Sequence, residues 1–254
     1  MTALSSRIDA IFRGIDHRPW PLSAKRWQLF MRWSKLAFLH WPIPVDTLAA
    51  LIPAPLKPDI AEGSGWVGVV PFQMEDTQFR GLPKVPTAAS FAEINVRTYV
   101  TYQGYAGVWF FSLDAASRLA VWGGRTGFNL PYHHAKFSIE SNGPQVQYHS
   151  ERTHRGVSPA EFKGMYQPVG PVIGSQAGSL EHWLTERYCL FSRSRRGKIS
   201  KQDVHHRPWP LQLAQVDIQA NSMAAAAGIQ LPEAPPLAHY AEVVDVVAWG
   251  AEAV

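Results

Sequence analysis

The chain has 254 residues, of which 46% are hydrophobic and only 17% are charged, and its net charge is +4 at pH 7. This composition excludes a disordered or supercharged chain and leaves enough apolar residues for a sizeable core. Nucleic-acid-binding proteins concentrate far more positive charge on one face, so we expect no nucleic-acid partner.

The first 26 residues and the most apolar window indicate where the protein resides. Residues 1–26 form an amphipathic lead-in that lacks the long apolar core of a secretory signal. Residues 27–254 contain no linker or composition shift, so we predict a single domain there. The most apolar window, residues 27–45, is interrupted by Arg32, Lys35 and two prolines and does not predict a membrane span. We therefore expect a soluble, cytoplasmic protein with no membrane partner.

The first half of the chain predicts one short helix and three strands. Residues 44–53 are bracketed by prolines and predict the helix. Residues 66–72 are almost continuously apolar, which indicates a buried strand, and residues 92–102 alternate with the period of two that is typical of a strand. Residues 108–113 are apolar on both faces, so that strand requires a second layer to cover it.

The alternation in residues 92–102 gives this strand an apolar face and a polar face. The polar face carries Glu93, Asn95, Arg97 and Tyr99. A solvated sheet surface is the simplest interpretation of such a face, but the same side chains could also line a binding site. In such a site Arg97 could hold a carboxylate in a bidentate pair, or Glu93 and Arg97 could simply neutralise each other.

The middle of the chain predicts two capped helices and a hairpin. Asp114 is the predicted cap of a helix over residues 115–122, which the following glycine pair would end. Residues 158–161 have the pattern of a capping box with proline at the first helical position. Between these helices, two strands flank the turn sequence of Asn142 and Gly143.

The last third of the chain predicts further strands and two small helices. One helix follows Ser179, and an alanine-rich helix lies between Asn221 and Gly228. Residues 187–192 and 240–249 predict strands. Many strands with a few short helices indicate a β-rich α+β fold built on a barrel or a sandwich.

Several passages of the chain follow one another in a specific order and spacing. These passages are residues 40–44, 66–72, 93–100, 107–115, 184–188 and 208–211. Together they resemble the uncharacterised DUF2071 (YqjF-like) family of the acetoacetate decarboxylase-like superfamily, from about residue 27 to the end of the chain. The resemblance implies a cone-shaped antiparallel β-barrel with flanking strands and short helices, and a pocket inside the cone. Because the decarboxylases oligomerise, it also suggests a homo-oligomer by analogy.

A further segment, residues 124–135, is similar to the active-site segment of the acetoacetate decarboxylases, in which a Gly-Arg pair precedes two lysines at a fixed distance. In this chain the pair is Gly124 and Arg125, and the lysine positions hold Tyr132 and His133. The first of those lysines is the Schiff-base nucleophile of the family, and a tyrosine cannot form an imine. The resemblance therefore implies the decarboxylase scaffold without its Schiff-base chemistry.

The resemblance and the polar strand face together predict one site. Glu93 matches a cavity-facing acid/base glutamate of the decarboxylases. The predicted catalytic residues are Glu93, Tyr132 and His133, and the predicted substrate-binding residues are Asn95, Arg97 and Arg125. An anchoring role for Arg125 in its own loop is the alternative.

The predicted function is a pocket for a small carbonyl or carboxylate compound. If the protein is an enzyme, we expect a lyase or hydrolase type of reaction without a Schiff base. A non-catalytic binding or sensing protein and a structural protein with a filled barrel are the alternatives. Two adjacent histidine pairs, at residues 133–134 and 205–206, could bind zinc together with Glu93, but structural histidines explain them as well. We expect no metal and no cofactor.

Overall fold

The computed structural model describes residues 3–254 and contains, within that range, five α-helices, one 3₁₀ helix and thirteen strands. The helices are α1 (Ala3–Ile11), α2 (Val45–Leu51), α3 (Pro86–Ala89), α4 (Arg118–Gly127) and α5 (Leu180–Thr185), and the 3₁₀ helix is Ala225–Ala227. The strands are β1 (Leu29–Ile43), β2 (Lys57–Pro58), β3 (Gly65–Phe79), β4 (Phe91–Tyr102), β5 (Tyr105–Ala115), β6 (Tyr132–Asn142), β7 (Gln145–Arg152), β8 (Glu161–Val169), β9 (Cys189–Arg193), β10 (Ile199–His206), β11 (Gln212–Asn221), β12 (Leu237–Ala248) and β13 (Glu252–Ala253).

All thirteen strands belong to one sheet, in the order β13-β10-β9-β5-β6-β7-β8-β11-β12-β1-β3-β4-β2. Two further pairings, of β4 with β5 and of β10 with β12, join strands that are distant in this order, so the sheet returns on itself. The pairings are antiparallel except for those of β5 with β6 and β5 with β9, which are parallel. The predicted β-rich fold with short helices is confirmed. These pairings show a sheet that returns on itself, and its closure into a cone-shaped barrel stays a prediction.

The two predicted strands at residues 66–72 and 92–102 are confirmed as β3 and β4, which pair antiparallel. The apolar face of β4, with Ile94 and Val96, packs in the largest buried cluster of the molecule together with apolar residues of β3. The polar face of β4 is buried as well, since every residue from 93 to 100 is buried. The interpretation of that face as a solvated surface is therefore wrong, because the returning sheet encloses both faces.

Two local helix signals were outweighed by contacts with distant residues. The helix predicted at residues 158–161 is wrong, because Glu161 begins β8, which pairs with β7 on one side and with β11 on the other. The helix cap predicted at Asp114 is also wrong, because Asp114 stays in β5. The cap of α4 is Ser117, whose hydroxyl oxygen accepts a hydrogen bond from the amide of Ala120 at 3.2 Å. The glycine pair predicted to end this helix lies inside it.

Other local predictions are confirmed. The proline-bracketed helix is α2, the hairpin is formed by β6 and β7, and Ser179 caps α5 by accepting a hydrogen bond from the amide of His182. The alanine-rich helix is a single 3₁₀ turn, which Gly228 ends with a φ of 79°. Among the helices of residues 3–254, none has the length and apolar character that a membrane crossing needs.

The predicted lead-in, residues 1–26, is described from residue 3 onward and packs against the sheet. The Arg7 guanidinium donates hydrogen bonds to Asp76 at the end of β3 and to Asp245 in β12, each at 2.6 Å. Ile11 at the end of α1 is buried in an apolar cluster that includes Phe30 of β1. The lead-in therefore fastens strands that are far apart in the sequence.

Candidate functional site

An interior cavity of about 120 Å³ is lined by side chains of β1, β3, β4, β5 and β10. Most of its wall is apolar and comes from a buried cluster that includes Val70, Phe72 and Trp209. The polar part of the wall contains four of the predicted site residues, which are Glu93, Asn95, Arg97 and Tyr132. We call this space the inner cavity. The structure thus brings these four side chains together around one space.

Glu93 and Tyr132 form a buried hydrogen-bonded pair. The Tyr132 hydroxyl donates to Oε2 of Glu93 at 2.9 Å, and Glu93 is only 2% exposed. Burial raises the pKa of Glu93 to about 8, the Tyr132 hydrogen bond opposes this, and the negative charge of Asp114 adds to it. Burial and the neighbouring Glu93 also raise the pKa of Tyr132 well above its ordinary value. At neutral pH the pair is therefore largely uncharged: Glu93 holds a proton that it can give up, whereas Tyr132 keeps its own.

The position of Tyr132 depends on the segment that precedes it. Tyr132 is the first residue of β6 and pairs in parallel with Leu113 of β5. Its ring packs against Gly124 of α4, where the methyl group of an alanine would overlap the ring. Nη1 of Arg125 donates to the backbone oxygen of Tyr132 at 2.7 Å. The Gly-Arg pair therefore holds Tyr132 in place, as expected if Arg125 anchors its own loop.

Arg97 is a buried cation with donor atoms that have no hydrogen-bond partner. It is 8% exposed, and its Nε and Nη2 atoms have no hydrogen-bond partner. Among residues 3–254 it forms no ion pair, and its guanidinium lies 5.0 Å from the centre of the Phe38 ring. The neighbouring Asn95 also has a buried Oδ1 atom without a partner. Glu93 is bonded to Tyr132 and keeps its proton at neutral pH, and no ion pair joins it to Arg97, so the two residues do not neutralise each other.

A second buried arginine at the inner cavity, Arg187, was not predicted from the sequence. Its Nη1 donates to Asp59 at 2.6 Å and its Nε to the backbone oxygen of Trp183 at 2.7 Å, while its Nη2 has no partner. A charged residue next to the apolar strand β9 was the available signal. The sequence predicts only a strand for residues 187–192, because nothing local shows which way the side chain of Arg187 points.

His133 and Arg125 lie outside the inner cavity, in an open surface groove of about 560 Å³. Adjacent residues of a strand point to opposite faces, so Tyr132 and His133 cannot both face one cavity. Burial, followed by the nearby Arg152, lowers the pKa of His133 to about 3, so this histidine is neutral at neutral pH. It therefore supplies no positive charge to Tyr132. The catalytic and substrate-binding roles of His133 and Arg125 stay predictions.

The other histidine pair has structural partners. His205 is bonded through its Nδ1 to Arg18 at 3.2 Å and through its Nε2 to the backbone oxygen of Ile11 at 3.0 Å. His206 lines the inner cavity, and its Nδ1 lies 2.8 Å from the backbone oxygen of Arg207. Within the described part of the chain, no three His, Cys, Asp or Glu side chains are grouped so that they could hold a metal ion.

Solved structures with a similar fold include acetoacetate decarboxylases. The acetoacetate decarboxylase of Legionella pneumophila superposes with a TM-score of 0.60 at 13% identity, over 100% of this chain and 97% of that one. The enduracididine biosynthesis enzyme MppR, solved in complex with pyruvate, superposes with a TM-score of 0.60 at 10% identity, over 94% of each chain. At these identities the likeness concerns the fold alone. The class of protein is therefore acetoacetate decarboxylase-like in fold.

Sequence comparison narrows this class to one family. The profile of DUF2071, described as an uncharacterized conserved protein, matches residues 30–245. The uncharacterized protein YqjF of Bacillus subtilis (strain 168) is 43% identical over 223 residues, which make up 88% of this chain and 91% of YqjF. The chain belongs to the DUF2071 family, and the resemblance predicted from the sequence is confirmed.

Proposed function

We propose that the inner cavity, set inside the cone-shaped barrel expected of this fold, binds a small carbonyl or carboxylate compound. The observation that carries the proposal is the buried Arg97, whose two unpaired nitrogens have no carboxylate to bind. A buried charge without a partner is strongly unfavourable, and a ligand carboxylate would supply the missing partner. Planar guanidinium and carboxylate groups can then form two parallel hydrogen bonds. The Oδ1 atom of Asn95 would accept a hydrogen bond from a ligand hydroxyl or enol.

Glu93 and Tyr132 provide the proton-transfer chemistry of the proposed site. A group whose pKa is about 8 is protonated at neutral pH yet close enough to give up its proton, which suits a general acid. Glu93 would donate a proton to the ligand, and the Tyr132 hydroxyl would orient a carbonyl oxygen. Among residues 3–254 the lining of the inner cavity includes no lysine, which supports a reaction without an imine. If there is turnover, its class is that of a lyase or a hydrolase.

Calorimetric titration with pyruvate and other short oxo acids tests the binding half of the proposal. The fold likeness to MppR, which was solved with pyruvate, makes this acid a sensible first probe. Arg97→Met removes the guanidinium and should weaken binding at least about tenfold, since hydrogen bonds to charged groups contribute about 1.5–3 kcal/mol. Arg196→Met makes the same change at the exposed turn between β9 and β10 and should leave the affinity unchanged.

The same titration distinguishes ligand binding in the inner cavity from ligand binding in the surface groove. Arg125→Met removes the guanidinium in that groove. Normal binding by Arg97→Met together with lost binding by Arg125→Met would place the ligand in the groove and overturn the proposal. Binding that depends on Arg97 alone supports the inner cavity.

Deuterium exchange tests the proton-transfer half of the proposal. In D₂O the ionised minority of Glu93 should remove a proton from the carbon next to the carbonyl group of a bound oxo acid. The same carboxyl group, once it has exchanged that proton with solvent, should return a deuteron, and NMR should follow the exchange. Glu93→Gln keeps the size of the side chain and removes the acid, so it should bind the same compound without exchange. Equal exchange in both proteins would contradict the role of Glu93. Binding without any exchange in the wild type would identify a non-catalytic binding protein, the alternative function.

A further inference from the structure

A second cavity, of about 250 Å³, adjoins the inner cavity. It is lined by residues of β1, β3, α3 and α4, and we call it the outer chamber. Leu29, Met31, Met74 and Tyr132 line both spaces and therefore form the partition between them. Tyr132 presents its hydroxyl to Glu93 on one side and its ring to Gly124 of α4 on the other.

The two spaces differ in their chemistry. The inner cavity is lined by Arg97 and Arg187, whose guanidinium groups both have unpaired nitrogens. Among residues 3–254 no charged side chain lines the outer chamber, whose wall is mostly apolar. A ligand that spans both would therefore carry its negative charge at one end and its apolar part at the other.

The wall of the outer chamber also reaches the surface with large apolar side chains. Trp122 of α4 is 64% exposed, and Phe79, Val85 and Leu119 are exposed beside it. These side chains come from three separate segments and converge on the chamber. A cluster of exposed apolar side chains at a cavity is typical of a binding site, whereas single ones are ordinary.

The partition consists of side chains that can yield to a ligand. Methionine is unbranched and rotates about three bonds, so Met31 and Met74 can repack around an inserted chain. Tyr132 is held by its hydrogen bond to Glu93 and by its packing on Gly124, so the two methionines are the part of the partition that can move. An apolar chain could pass beside these residues without burying a charge.

We infer that the inner cavity and the outer chamber bind one amphiphilic ligand, an oxo acid with an apolar chain. The carboxylate binds Arg97, the chain crosses the partition beside Met31 and Met74, and its end packs against Trp122. The inference rests on the proposed function, because the head group is that of the inner-cavity ligand. It adds the substrate class, which is an acid with an extended alkyl chain rather than one of the size of pyruvate.

Titration with a homologous series tests the inference. Pyruvate, 2-oxohexanoate and 2-oxodecanoate share the head group and differ in the length of the chain. Each methylene buried in the outer chamber should raise the affinity about fourfold until the chamber is full. Trp122→Ser removes part of the apolar wall and should reduce the gain for the longest acid while leaving the affinity for pyruvate unchanged. Ile173→Ser, at another exposed apolar side chain that does not line the chamber, is the control.

A second variant fills the chamber from within. Ala120 lines the outer chamber from α4, and Ala120→Phe should remove the gain from chain length even if Trp122→Ser has a small effect. A gain that persists in both variants would place the chain elsewhere and overturn the inference. If acids of every length bound equally and depended on Arg97, the inference would also be overturned, but the proposed function would stand. Failure of every acid to bind through Arg97 would remove both.

Sedimentation of the wild type and of Trp122→Ser tests whether a second copy of this chain, rather than a ligand, covers the exposed apolar side chains of the outer chamber. If the exposed apolar side chains were an interface between copies of this chain, the variant would change the oligomeric state. That result would overturn the inference, and an unchanged state would support it.

Discussion

Replacing Glu93 with glutamine is expected to stabilise the protein, by an amount that grows as the pH rises. The pKa of Glu93 is about 8 in the folded protein, against an ordinary value of 4.5. Between these two pH values the folded state keeps a proton that the unfolded state releases, so ionisation favours the unfolded state. At pH values near 8 the cost is on the order of 4 kcal/mol. Glutamine does not ionise, and its oxygen still accepts the hydrogen bond of Tyr132.

Urea denaturation of both proteins across the pH range measures this effect. The stability of the wild type should fall relative to that of Glu93→Gln from about pH 5 to about pH 8, with little difference between the two below pH 4.5. Glu140→Gln changes an exposed glutamate of β6 and should reproduce the wild-type curve. Parallel curves for the wild type and Glu93→Gln would show that Glu93 is not held protonated in the fold.

Replacing Asp114 with asparagine is expected to have the opposite effect and to destabilise the protein by about 3–5 kcal/mol. Asp114 accepts two hydrogen bonds from Arg152, at 2.6 and 2.7 Å, and the two side chains are only 1% and 4% exposed. The substitution keeps the shape of the side chain but leaves the guanidinium buried without an opposite charge. The asparagine oxygen can still accept one hydrogen bond from Arg152, and the backbone oxygen of Ser158 accepts another at 3.1 Å, but neither supplies the missing negative charge.

Denaturation at neutral pH measures the loss, and an exposed hydrogen-bonded pair of side chains on the same sheet provides the control. His149 and Glu161 lie 3.1 Å apart on β7 and β8, and both are well exposed. Glu161→Gln should therefore cost no more than about 1 kcal/mol. If Asp114→Asn cost as little, the buried pair with Arg152 would not hold β5 and β7 together. Adding Arg152→Met to Asp114→Asn should recover part of the loss, because it removes the unpaired charge.

The two carboxylates are close neighbours that the fold uses differently. In the pairing of β4 with β5, Glu93 is opposite Ala115 and Ile94 is opposite Asp114. Burial raises the pKa of both carboxyl groups, but the guanidinium of Arg152 opposes the rise at Asp114 with two hydrogen bonds and an opposite charge. Glu93 has only a phenol as its partner and reduces stability above its ordinary pKa. A residue that lowers stability where a glutamine would raise it is typical of a functional site.

Much of the fold and part of the site could be predicted because their signals are short-ranged. The alternation in β4 separated Ile94 and Val96 from the polar face, and the resemblance to the decarboxylases connected Glu93 with Tyr132. An apolar run, strand alternation and an Asn-Gly turn each involve only neighbouring residues, so β3, β4 and the hairpin of β6 and β7 could be predicted from them. The burial of the polar face could not be predicted, because it depends on strands that return from elsewhere in the chain.

The errors have the same physical origin. Asp114 has the chemistry of a helix cap, but Arg152, which is distant in the sequence, binds it more strongly than a helix end would. Residues 158–161 have the pattern of a capping box, but pairing on both sides makes the chain from Glu161 onward a strand. Arg187 was missed because its orientation depends on Asp59, a residue far away along the chain. Local propensity is a weak signal wherever a distant partner competes with it.

The pairing of β1 with β12 has a consequence for the order in which the chain can fold. During synthesis β3 follows β1 closely and can pair with one edge of it, but the other edge must wait for β12, whose Ala248 pairs with Leu29. Contacts between such distant segments form slowly, and an unpaired strand edge on a nascent chain can bind other chains in the meantime. Ala248 also lines the inner cavity. The cavity is therefore completed only when the last long strand has left the ribosome and joined the sheet.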